Sequence, residues 1–123
     1  MKLTKKEEEI MEVIWSKEKA FAKDIIDAAT EPKPAATTIA TLLKRIYDKG
    51  FIDYEQLGNM RSYYPLIKKE DYFLKEMRGM ITNFFNNSVS QFGSFFAKSN
   101  NISIEELEKL RDVINQEIDR KKN

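Results

Sequence analysis

At 123 residues the chain can form one compact domain with an appendage, too little for the multi-layered core of a large enzyme. It contains no cysteine and no histidine, which removes disulfides, thiolate nucleophiles, imidazole bases and the usual zinc and copper ligands. The formal net charge is only +1, but it conceals segregation: Lys33, Lys44, Arg45, Lys49, Arg61, Lys68 and Lys69 meet only Asp48, Asp53 and Glu55 in the middle of the chain, a footprint suited to phosphate.

The opening MKLTKKEEEI lacks the apolar core of a signal peptide, and no apolar run approaches the roughly 18 residues of a membrane span, so a cytoplasmic protein is expected. Thr4 and Glu7 have the spacing of a capping box, which starts a first helix with Ile10, Met11, Ile14 and Trp15 on its buried stripe. The acidic runs at 7 to 9 and 105 to 108 read as solvated helix faces rather than paired catalytic carboxylates. Phe21 and Ala22 lead into a short second helix bearing Ile25, Ile26 and Ala29, which the prolines of EPKP at 31 to 34 end.

A third helix is predicted over about 35–49. Ile39, Leu42, Leu43 and Ile46 share one face at 100° per residue, while Thr37, Ala40, Thr41, Lys44 and Asp48 share the opposite one, flanked by Thr38 and Arg45. Gly50 supplies the left-handed stop. Two short strands follow, Phe51 to Glu55 and Ser62 to Leu66, joined across QLGNMR, with Pro65 marking an edge or an end. Tyr63 and Tyr64 must point to opposite faces, so one of them belongs to the core.

From Lys69 to about Phe95 the pattern turns helical again, with Phe73, Met77, Met80, Ile81, Phe84, Phe85, Val89 and Phe92 in a wide apolar stripe that Gly93 and AKSNN end. Ser103 and Glu106 form a second capping box for a last helix carrying Ile104, Leu107, Leu110, Val113, Ile114 and Ile118.

The order helix, short helix, helix, hairpin is that of a winged helix-turn-helix. The expected fold is therefore mainly α with a small β-hairpin wing: a DNA-binding domain at 1–67 and a helical dimerisation domain at 68–123. Thr37, Thr38 and Thr41 offer hydroxyls and methyls to phosphates and base edges, Lys44 and Arg45 are natural phosphate clamps, and Arg61 falls at the hairpin tip beside the backbone. The stripe of Phe73, Met77, Ile81, Phe84, Phe85 and Phe92, with Leu107, Leu110 and Ile114 on the last helix, exceeds what so short a segment can bury alone, so a homodimer is expected. The alternative is a winged-helix protein-interaction module without DNA contact. No cofactor and no small-molecule ligand is indicated.

The runs TTIATLLKRIYDKGFID and YYPLIKKEDY, with LTKKEEEIMEVIW upstream and ISIEELEKLRDVIN downstream, resemble the penicillinase-repressor family of BlaI, MecI and CopY types over almost the whole chain. The resemblance implies a homodimeric repressor on palindromic double-stranded operator DNA, with base and phosphate contacts falling on Thr38, Thr41 and Arg45. Thr37 and Ala40 stand where the staphylococcal members carry lysine and arginine. It also implies relief by a membrane metalloprotease sensor, or a protease downstream of it, cutting an asparagine-phenylalanine bond; the aligned bond here is Phe95-Phe96, with the asparagine replaced. The cysteine cluster of the copper-responsive branch has no counterpart.

Overall fold

The computed structural model describes residues 2–123 and divides after Glu76 into two compact units. In the first, α1 (Lys5–Lys17), α2 (Ala22–Ala28) and α3 (Ala36–Asp48) precede an antiparallel hairpin of β1 (Ile52–Leu57) and β2 (Met60–Pro65). The helix α4 (Lys69–Phe84) begins in the first unit and ends in the second, where α5 (Val89–Ala97) and α6 (Ile104–Lys122) follow. This is the mainly α winged-helix architecture expected from the element order. No helix among the described residues is long and apolar enough to cross a membrane.

Local chemistry sets the helix ends. Thr4 caps α1 in a reciprocal box, its amide donating to Glu7 Oε1 at 2.8 Å and its Oγ1 accepting from the Glu7 amide at 3.2 Å. Ser103 and Glu106 repeat the arrangement at the start of α6. At the other end of α3, Gly50 adopts φ +84°, its amide bonds to Tyr47 O at 2.9 Å, and the Phe51 amide reaches back to Ile46 O at 3.3 Å. That pair of bonds is a Schellman close, and only a residue without a Cβ takes this backbone cheaply.

One apolar core holds the first unit together. Leu3, Ile10, Met11 and Ile14 meet Ile25 of α2, Ile39, Leu43 and Ile46 of α3, Phe51, Ile52 and Tyr63 of the hairpin, and Tyr72 of α4. Trp15 is half-buried and donates from Nε1 to Ile67 O at 2.9 Å, tying α1 to the chain leaving the wing. Tyr72 is buried with its hydroxyl donating to Glu8 Oε2 at 2.9 Å and accepting from the Leu3 amide at 3.3 Å; burial and the Glu8 contact push its pKa up to about 12.

The hairpin is tighter than expected. Leu57 pairs with Met60, so the loop is Gly58-Asn59 alone, with Gly58 at φ +62° in the first central position that a glycine-first two-residue turn requires. Ala20 adds a one-residue bridge to β2, exchanging bonds with Tyr63 at 2.9 and 2.8 Å. Tyr63 is the buried member of the tyrosine pair, and Tyr64 is only half-buried.

In the second unit the continuous helix expected over 69–95 is broken. Asn86 and Asn87 take φ +54° and +59°, and Ser88 then caps α5 by accepting from the Gln91 amide. Asparagine enters the left-handed region more readily than other residues that carry a Cβ, so Asn-Asn-Ser is a stop followed by a start. Gly93, expected to end the helix, lies inside α5.

Candidate nucleic-acid interface

α3 presents the chemistry of the site because its other face is spent on the core. With Ile39, Leu43 and Ile46 buried, the 100° spacing leaves Thr37, Thr41, Lys44 and Asp48 outward, with Thr38 and Arg45 along one flank and Ala40 and Tyr47 along the other. Ala35 is the N-cap and no side chain caps α3, so Thr37 and Thr38 are not spent on starting the helix. Thr38 borders a groove of about 710 Å³ shared with Ile10, Ile25, Pro32 and Leu42. A helix with side chains is about 10 to 12 Å across, matching the roughly 12 Å major groove of B-form DNA.

Hydrogen bonding sharpens what each residue can offer. Thr41 Oγ1 donates to Thr37 O at 3.0 Å, one turn back. While that bond holds, the hydroxyl is an acceptor only, fit for an adenine or cytosine amino group, and its methyl is free for a thymine. Lys44 lies 3.1 Å from Asp48 Oδ2 in an exposed pair, a weak tie that a phosphate can replace. Arg45 is exposed, and its guanidinium has no ion pair or hydrogen bond among the described residues.

Three members of the basic stretch are committed elsewhere, among them Lys69, whose Nζ donates to Glu12 Oε2 of α1 at 2.9 Å. Lys33 Nζ donates to Asp27 O at 2.8 Å and Ala29 O at 2.6 Å, closing the C-terminal end of α2. Lys49 Nζ donates to Glu7 Oε1 at 2.6 Å and Lys2 O at 3.1 Å. Glu7 is 1% exposed. Burial alone would raise its pKa, but the bond from Lys49, the Thr4 amide and the lysine's charge together hold it below the ordinary carboxylate value. This pair locks the start of α1 to the end of α3.

Arg61 is not at the tip of the wing. Because the loop is only two residues, Arg61 pairs with Gln56 inside β2 and Asn59 occupies the tip. Its guanidinium lies 4.3 Å over the Tyr54 ring. The Tyr54 ring stands 5.6 Å from Tyr47 on α3 and 5.7 Å from Tyr63. Tyr47 and Tyr54 were not among the expected site residues. Once the turn is fixed at Gly58-Asn59, two-residue alternation puts Tyr54, Tyr63 and Arg61 on one face of the hairpin, the signal by which they could be found.

The residues expected to hold a dimer do not gather in one place. Phe73 lies in the first unit, its ring centroid 5.9 Å from Trp15 and 5.1 Å from Tyr72. Ile81 is buried within the single chain. Phe85 and Phe92 meet edge-on at 5.5 Å across the helix break, with Phe95 at 5.4 Å from Phe85 and Phe96 stacked at 6.1 Å on Phe92. Leu107 is half-buried, while Met77, Phe84, Leu110 and Ile114 are exposed, as are Met80, Val113 and Ile118. The Phe95-Phe96 bond lies in the last turn of α5, with both side chains exposed.

A packed three-helix unit with a hairpin after its third helix is a winged helix-turn-helix. Residues 3–116 match the penicillinase repressor family. The chain is 31% identical over 109 residues to the methicillin resistance regulatory protein MecI of Staphylococcus aureus strain N315, covering 88% of this chain and 89% of that one. It is 28% identical to the penicillinase repressor of Staphylococcus aureus, over 87% and 86% of the two chains, and 25% identical to that of Bacillus licheniformis, over 93% and 90%. The chain belongs to this family of transcriptional repressors.

Proposed function

We propose that the protein is a homodimer that binds a palindromic operator through α3 and the wing at 51–66 and represses by excluding polymerase from the occupied site. The observation that carries this reading is the outward face of α3, where Thr37, Thr41 and an unpaired Arg45 stand beside the wing without being consumed by caps or ion pairs. Arg45, Lys44 and Arg61 serve as backbone contacts, and Thr41 and Thr38 as sequence readers.

The second unit supplies the other half of the argument. Among its described residues only Ile81 is buried, whereas Phe84 is 78% exposed. Covering Met77, Met80, Phe84, Leu110, Val113, Ile114 and Ile118 with a second copy yields roughly half of the 1.5 to 3 kcal/mol of a fully exposed side chain for most of them, a sum comparable to an association cost of about 4 to 15 kcal/mol. Two linked readers then act at high effective concentration on the two half-sites. Release by cleavage at Phe95-Phe96, by a membrane metalloprotease sensor or a protease under its control, fits the same scheme. The cut would detach α6 and its share of the apolar face once the last turn of α5 opens.

Fluorescence anisotropy with the promoter duplex of its own operon, titrated with salt and with unrelated competitor, tests this function. Specific binding with a negative salt slope is expected. Arg45→Ala should flatten that slope by about 0.9 per subunit while leaving sequence preference intact. Absence of binding to any duplex would leave a protein-docking role instead. Mass spectrometry of the chain from derepressed cells tests release, with a fragment ending at Phe95 as the expected product.

A further inference from the structure

The geometry points to Tyr54 as a positioning residue that holds the wing's Arg61 at a set distance from α3, with Tyr47 as its counterpart on the helix. This rests on the operator-binding reading above and adds how the wing is registered to the recognition helix. Tyr54 contacts Arg61, Tyr47 and Tyr63 in turn: guanidinium to ring 4.3 Å, ring to tilted ring 5.6 Å across to α3, and 5.7 Å to Tyr63. Its base is fixed, because Tyr63 is buried and its backbone exchanges both bonds with Ala20.

The chemistry distinguishes this arrangement from an ordinary surface contact. Lys44 spends a donor on Asp48 and Lys49 spends donors on Glu7 and Lys2, so those cations are held by the groups a phosphate would have to displace. Arg61 is held by a ring face instead. A π face attracts the cation without accepting any of its five in-plane N–H bonds, so the side chain is ordered while its donors stay unspent. An arginine ordered before binding loses less rotamer freedom on contact than a free one. A lysine at this position would keep the charge and lose the planar fork.

The test uses the full chain and the same promoter duplex. Wild type, Arg61→Ala, Tyr54→Phe, Tyr54→Leu and the Tyr54→Leu/Arg61→Ala double variant are compared by the slope of affinity against salt. Tyr54→Phe, which keeps a ring, should match wild type. Tyr54→Leu should lose as much slope as Arg61→Ala, about 0.9 per subunit, and the double variant no more than either alone. Tyr47→Leu, at a half-exposed ring outside the core, should move in the same direction. In the free protein, the Arg61 side-chain proton resonances should carry a ring-current shift that Tyr54→Leu abolishes and Tyr54→Phe keeps.

Tyr54→Leu retaining the full Arg61 contribution, or an Arg61 signal without ring-current shift, would overturn the assignment and leave operator binding standing. So would an Arg61→Ala variant with unchanged slope. A wild type that binds no duplex overturns both.

Discussion

In the winged unit Met11, Ile14, Leu43 and Ile46 are sealed from solvent, while in the second unit Phe84, Phe95 and Ile104 are 78%, 69% and 77% exposed. Both units use helices of similar apolar content, yet one turns its side chains onto a shared core and the other leaves them without cover. Three helices and a hairpin crossing at several angles enclose a volume; α5 and α6 have no buried residue of their own. Apolar surface of that extent is what the proposed dimer would cover. A unit with its own closed core is thus joined to one whose large apolar side chains stay exposed in the single chain.

The sharpest way to break this contrast is at Phe84 and Phe85. Phe84→Asp with Phe85→Ser should give monomers in sedimentation and weaken operator binding by about 100-fold or more, while near-ultraviolet circular dichroism of the winged unit stays native. An intact dimer would remove the second unit from the assignment. Next in size is Leu43→Ala, expected to cost about 3 kcal/mol in urea unfolding because it leaves a cavity in a closed core. Leu110→Ala, on the exposed face of α6, should instead change stability in a way that depends on protein concentration, since the proposed dimer would cover it.

The Glu7–Lys49 pair gives a smaller and pH-dependent effect. Lys49→Met leaves a buried carboxylate without its cation and should cost about 2 kcal/mol, discounted because the lysine is partly exposed. The pKa of Glu7 is depressed in the folded state, so its stabilisation is complete above the ordinary value of 4.5 and is lost as pH falls through the folded value. Wild type should therefore lose stability more steeply below pH 4.5 than Glu7→Gln, as chemical denaturation across pH would measure. Smallest of all, Asp48→Asn should change stability by under about 0.5 kcal/mol, since its pair with Lys44 is exposed. By freeing Lys44 it should also strengthen operator binding slightly, a shift readable in the same anisotropy titration.

Much of this was legible along the chain. Thr4 with Glu7, Ser103 with Glu106, and Gly50 after an amphipathic run each act within one turn, so local spacing was enough to find the start of α1, the start of α6 and the end of α3. The outward threonines and Arg45 followed from the same 100° periodicity that buried Ile39, Leu43 and Ile46. The break at Asn86-Asn87 is hidden in the sequence because the aromatic period continues across it and masks a turn signal carried by two asparagines and a serine. QLGNMR read as a loop puts Arg61 at the tip, and only strand pairing reveals that Leu57 faces Met60 and leaves Arg61 inside β2.

The sequence by itself determined the element order of the winged unit, the starts of α1 and α6, the end of α3 and the face that α3 turns outward, because these depend on neighbours a few residues apart. The tertiary structure decided which charges are available. Lys49 is withdrawn to Glu7 across 42 positions, Lys33 is turned back onto α2, and Arg61 is laid over Tyr54, whose ring also meets Tyr47 of α3. Such choices depend on which acceptors and rings the turns, the strand pairing and the packing bring beside each charge, which periodicity alone cannot report.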